Sequence, residues 1–142
     1  MRADEIFAQH ERLNVSLDRL SLLVAAPLDE VLPEGRVRVV LEAEIGTLRE
    51  ALRAHFEFEE EGGYLSQVLK GNPRLASQVD ILKGEHPRLL AEADALARTL
   101  AQGPVSAMRE AVQTFLRRLN GHERREASLL QASPGSSPLA EA

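Results

Sequence analysis

Two glutamates in this chain each follow a histidine by four residues: His55 with Glu59, and His122 with Glu126. On a helix that spacing puts both side chains on one face, so each pair offers a nitrogen and a carboxylate to the same centre. The chain has four histidines in all. The other two, His10 and His86, stand like the first two among apolar residues that recur every three or four positions. A carboxylate buried without partners is costly. Two of them beside four imidazoles require a cation or strongly shifted protonation. A carboxylate has two oxygens and can bridge two metals, so two His-x-x-x-Glu helices can supply two bridges, with the four imidazoles capping the metals about two each. Imidazole and carboxylate without thiolate suit iron, manganese or zinc, and open positions favour redox iron.

The elements that must position these residues are helical. Punctuation falls at Pro27 to Gly35, at Gly62-Gly63 through Gly71-Asn72-Pro73, and at Gly103-Pro104. Asn72-Pro73 reads as an N-cap followed by proline at N1, and Gly103-Pro104 as a stop and a restart. The expected helices are roughly 4–25, 36–61, 73–102 and 104–131, with Tyr64 to Lys70 read as a short extra turn. The first carries Ile6, His10, Leu13, Leu17 and Leu20 at steps of three and four; the second carries Leu41, Ile45, Leu48, Leu52, His55 and Glu59. The third carries Leu75, Val79, Leu82, His86, Leu89, Ala93, Leu96 and Leu100. The fourth carries Val105, Met108, Val112, Phe115, Leu119, His122, Glu126 and Leu129. These are inward seams of a bundle. Short connections make neighbours antiparallel, so the expected fold is all-α, an up-down-up-down antiparallel four-helix bundle. In that topology the six polar seam residues converge on one half of the bundle. The bundle domain is expected over 1–131, and 132–142, rich in serine and proline, is read as a disordered tail.

Composition bounds the rest. The chain has 142 residues, 44% apolar, no cysteine, and a formal net charge of −5. One domain of ordinary size can bury a core of this composition. The lack of cysteine removes disulfides, thiolate metal sites and cysteine nucleophiles. No basic tract suggests nucleic acid as a partner, and no apolar run is long enough to span a membrane. The first residues, Met1-Arg2-Ala3-Asp4-Glu5, lack the apolar run of a signal peptide. The expected location is cytoplasmic; the oligomeric state is left open.

At its histidines and glutamates the sequence resembles the hemerythrin-like, or HHE cation-binding, family over residues from about 5 to 131. The matching pieces are His10-Glu11-Arg12-Leu13, His55-Phe56-Glu57-Phe58-Glu59-Glu60, Glu85-His86-Pro87-Arg88-Leu89 and His122-Glu123-Arg124-Arg125-Glu126. The resemblance implies a four-helix bundle with two iron ions in an oxo- or hydroxo-bridged di-iron centre. It makes Glu59 and Glu126 the bridging carboxylates, with His10 and His55 on one iron and His86 and His122 on the other. There is one departure. Oxygen-carrying hemerythrins place two histidines four apart on the third helix, whereas here Leu82 and Leu90 flank His86 at that spacing. The iron held by His86 and His122 therefore lacks a protein nitrogen, and an open position admits ligands. Should both irons prove saturated by protein ligands alone, Glu85, turned inward by a kink at Pro87, is the first suspect for an unrecognised carboxylate.

The functional expectation is a non-haem di-iron protein that binds or senses dioxygen or a related small ligand, or iron itself. Alternatives are an oxidoreductase acting on peroxide or nitric oxide, and a metal-free helical interaction module. Among the remaining residues, Pro87 removes the hydrogen bond to the Lys83 carbonyl and is read as a kink. Tyr64 is read as packing over the bundle end, and Glu57, Glu60 and Glu61 as a mostly solvated acidic face, with support of iron entry as the alternative for Glu60. Arg117, Arg118, Arg124 and Arg125 are read as solvent-side charge.

Overall fold

The computed structural model describes residues 3–25, 32–61 and 64–132. Five α-helices occupy them: α1 (Ala3–Ala25), α2 (Glu34–Glu61), α3 (Tyr64–Gly71), α4 (Ala76–Gln102) and α5 (Val105–Ala132). No strand occurs among the described residues. The four long helices pack in the ring α1–α2–α4–α5, each against its sequence neighbour, with α1 closing on α5. This is the antiparallel bundle that short connections enforce. No helix among the described residues is long and apolar enough to cross a membrane. The expected tail falls outside the described residues except for Ala132, which closes α5.

The seams hold as inward faces. All eight expected seam residues of the third segment and all eight of the fourth are buried. In α2 the buried stripe also includes Val37 and Phe56. In α1 the phase is shared: Ser16 is buried, while the expected Leu17 is partly buried against the core. The side chains of Ile6 and His10 lie outside the described residues.

Local chemistry fixes the turns. Asn72 has extended backbone (φ −152°, ψ 91°), and its side chain accepts from the Arg74 amide at 3.2 Å. With Pro73 behind it, this cap opens a 3-10 turn (Pro73–Leu75) that runs into α4. At the other end of α4, the Gly103 amide bonds to the Thr99 carbonyl at 2.8 Å. Arg38, near the start of α2, donates to the Leu100 and Gly103 carbonyls that α4 leaves unpaired. Glu34, one turn earlier, accepts from the Val105 amide that opens α5. One turn of α2 thus clamps the α4–α5 connection. Pro87 does not interrupt α4, and its ring side is exposed. Its missing amide costs one backbone bond and leaves the seam in register.

The core divides into two clusters. The larger runs from Val24, Val37, Leu100 and Val105 at one end of the bundle to Leu13, Leu52, Phe56, Leu89 and Leu119. The smaller comprises Leu65, Val68, Leu75, Val79, Leu82 and Leu129 at the opposite end. Between them lies the layer that contains His55, Glu59, His86, His122 and Glu126. Residues 64–71 form a full eight-residue helix, longer than the short turn expected. Leu65 and Val68 of that helix roof the polar layer.

Candidate metal centre

Helices α2, α4 and α5 deliver the polar layer. His55 and Glu59 come from the last turns of α2, His86 from α4, and His122 and Glu126 from α5. All five are at most 2% exposed. His10, the sixth expected ligand, sits on α1, and its side chain lies outside the described residues. The donors fall into two groups. His86, His122 and Glu126 form one; His55, Glu59, Glu123 and Glu126 form the other. Within each group the candidate ligand atoms lie within 4.8 Å of one another.

Each of the two buried carboxylates reaches both groups. Glu59 sets Oε1 at 2.5 Å from His55 Nε2 and Oε2 at 3.8 Å from His86 Nε2. Glu126 sets Oε1 at 3.9 Å from His55 Nε2, and Oε2 at 3.2 Å from His122 Nε2 and 3.7 Å from His86 Nε2. One oxygen on each side is the disposition a bridging carboxylate needs.

These contacts are close without being aligned as hydrogen bonds. Both oxygens of Glu59, both of Glu126, Oε1 of Glu123 and Nε2 of His86 and His122 are fully buried and make no hydrogen bond. Buried polar atoms are rarely left so. Lone pairs that converge from carboxylate and imidazole are what a cation would satisfy, and the donor set fits iron.

The outer nitrogens are treated differently. His86 Nδ1 lies 2.8 Å from Glu60 Oε2, and His122 Nδ1 lies 2.7 Å from Glu85 Oε1. With Nδ1–H donating to these oxygens, a neutral imidazole at either position would turn its Nε2 lone pair to the interior. Arg125 in turn pairs with Glu85. Phe56 stacks on His86 with ring centroids 3.9 Å apart and 9° between planes, and meets His122 edge-on at 5.5 Å. Ring packing and the outer carboxylates together fix both imidazoles.

In the metal-free chain the cluster settles its own charge. Burial pushes His55 toward neutrality, but Glu123, Glu126 and Glu59 outweigh it and raise the imidazole to about 12. Burial and the facing Glu126 push Glu59 up to about 9, against the pull of His55. Burial opposes the ionised form of Glu126 as well, yet His122, His55 and His86 hold it well below the usual carboxylate range. Burial also opposes a charge on His122, and Glu126 and Glu85 override it, so this imidazole is raised. Of two carboxylates face to face, one keeps a proton and the other is ionised.

Glu85, the fallback carboxylate, is not turned into the centre by Pro87; it holds the outer nitrogen of His122. Arg125 is exposed, as expected of solvent-side charge, and also pairs with Glu85. The sequence reading missed Glu123 as an inward donor and Glu60 as an outer partner of His86. Glu60 follows Glu59 directly and Glu123 follows His122 directly, so adjacency to a seam ligand was the available signal.

Residues 1–132 match the family model for the hemerythrin HHE cation-binding domain. No curated protein and no solved structure gives a match.

Proposed function

Because the chain belongs to the hemerythrin HHE cation-binding domain family, we propose that its His/Glu cluster holds a pair of iron ions and there binds or senses a small ligand such as dioxygen, nitric oxide or peroxide. The observation that carries the pairing is the double reach of Glu59 and Glu126, each with one oxygen toward each donor group. Iron so bound would supply a redox ion with positions for an outside ligand. The remaining work belongs to the chain. Glu59 and Glu126 would bridge; His55, His86 and His122 would cap, and His10 would join His55 if its side chain follows the seam. Glu60 and Glu85 hold the Nδ1 protons and so keep Nε2 free to bind. Phe56 packs on His86 and His122, and the five described seam ligands are at most 2% exposed, which shields the layer from bulk water.

Ligand access is supported by an imbalance. The His86/His122 group has three donors among the described residues. Leu82, one turn before His86, is a buried member of the roof, and Leu90, one turn after, packs on the main core. Neither is a donor. An ion in this group would therefore keep open positions beneath an apolar roof.

The test is protein purified without added metal. Elemental analysis is expected to give about two irons per chain, and azide or nitric oxide to shift the optical spectrum. A chain without bound metal, or a two-iron chain whose spectrum ignores both ligands, would contradict the proposal. Turnover of peroxide or nitric oxide by the same preparation would make it an oxidoreductase.

A further inference from the structure

We propose that Glu123 is itself a metal ligand and makes the two halves of the centre chemically unequal. His55, Glu59, Glu123 and Glu126 would form an oxygen-rich half, and His86, His122 and Glu126 a nitrogen-rich half. The inference rests on the two-metal reading above.

The first support is the state of one atom. Glu123 as a side chain is 20% exposed, yet its Oε1 is fully buried and makes no hydrogen bond. That oxygen lies 3.4 Å from His55 Nε2. The exposed part of the residue shows that the carboxylate had an outward option, and one oxygen nevertheless lies among the inward donors.

The second support separates Glu123 from the outer carboxylates. Glu60 and Glu85 approach Nδ1 of their histidines, the nitrogen that faces away from the centre. Glu123 approaches Nε2 of His55, the nitrogen that also faces Glu59 and Glu126. An orienting partner belongs on the first kind of nitrogen and a fellow ligand on the second.

The third support is the helix itself. Successive residues turn by about 100°, so Glu126 projects about 40° from His122 and about 60° from Glu123, between the two. Helix α5 therefore sends His122 toward one group, Glu123 toward the other, and Glu126 down the middle. This accounts for Glu126 being the residue common to both groups.

The consequence is a division of metal preference. Three carboxylates beside one described imidazole make a hard, strongly anionic set suited to manganese(II) or iron(III). Two imidazoles sharing a carboxylate suit iron(II). The open positions stay on the nitrogen-rich half.

The experiment is an anaerobic titration of metal-free protein with iron(II), followed by calorimetry and by Mössbauer spectroscopy of the loaded chain. The wild type is expected to bind in two steps and to give two distinct iron signals. Glu123→Ala and the isosteric Glu123→Gln are expected to weaken one step by at least about tenfold and to shift one signal, while the other step and signal hold. Glu85→Gln is expected to perturb the opposite signal, because it acts through His122. Circular dichroism of the glutamine variant checks that the bundle is intact. Two unchanged steps in that variant, or an equal loss in both, would overturn the inference. A wild-type chain that takes up no iron would sink the two-metal reading as well, whereas two wild-type steps that survive the Glu123 changes would sink this inference alone.

Discussion

From Val24 and Leu100 up to Phe56, the bundle interior is leucine, isoleucine, valine, methionine, phenylalanine and alanine, with Ser16 as a buried polar side chain among them. Beyond Phe56 the same seams carry His55, Glu59, His86, His122 and Glu126 at equal burial. One stretch of interior is held almost wholly by apolar packing. The other presents carboxylate oxygens of Glu59 and Glu126 and the Nε2 atoms of His86 and His122, which make no hydrogen bond among the described residues. The seams stay buried in register through both stretches, so the difference lies in side-chain chemistry. A bundle seam is a neutral scaffold: it aims whatever residue occupies it, and the apolar stretch supplies the stability that lets the polar stretch be optimised for binding.

The sharpest way to break this comparison is to remove a shared carboxylate. Glu126→Ala deletes the donor common to both groups and is expected to reduce bound metal to one ion or none, by elemental analysis. Full occupancy would mean that the bridge is elsewhere. The bundle is expected to stay helical, because the main core is untouched.

The converse change acts on the apolar stretch. Leu48 is fully buried there, so Leu48→Ala should cost about 2–5 kcal/mol in transfer and cavity terms. The loss should be the same with and without metal, and metal content should not fall. A Leu48→Ala chain that folds but loses its metal would show that the two regions are coupled.

The smallest effect sharpens the comparison through pH. In the metal-free chain His55 is raised from 6.5 to about 12 and Glu59 from 4.5 to about 9. Both groups therefore hold protons in the folded chain that the unfolded chain has released. Stability from His55 is complete below pH 6.5 and is lost as pH climbs toward 12; the Glu59 contribution is lost from 4.5 toward 9. Between pH 7 and 8.5 these retained protons make the stability of the metal-free chain fall as pH rises. Metal-bound imidazoles must be neutral, so the loaded chain should instead gain stability as pH rises through the ordinary histidine range, then level off. Denaturant melts of both forms across pH 5 to 8.5 should give slopes of opposite sign. Parallel curves would mean that the ions do not replace the histidine protons.

Much of this was legible beforehand, for physical reasons. The spacing of Val79, Leu82, His86 and Leu89, or of Leu119, His122 and Glu126, fixes a face of a helix, and burial of that face follows. What spacing does not fix is the side-chain torsion of residues beside the seam. Glu123 is off the seam by one position, and only its rotamer brings Oε1 inward. Glu60 and Glu85 flank seam ligands in the same way, and their partners lie 26 and 37 residues away. Such pairings depend on how α2, α4 and α5 are rotated against each other. The α3 roof was underestimated because an eight-residue segment carries little helical signal by itself; its stability comes from burying Leu65 and Val68.

The roof separates two quantities that a binding constant merges. How tightly a cation is held depends on the donors in the layer. How long it stays depends also on how often the chain uncovers them. Leu65, Val68, Leu75, Val79, Leu82 and Leu129 form a far smaller cluster than the main core, and small peripheral clusters open at free energies below that of global unfolding. Escape can thus follow a brief parting of α3 from the ends of α4 and α5, with the bundle still folded. Residence time and affinity are then written in different residues, so either can drift in evolution without dragging the other along.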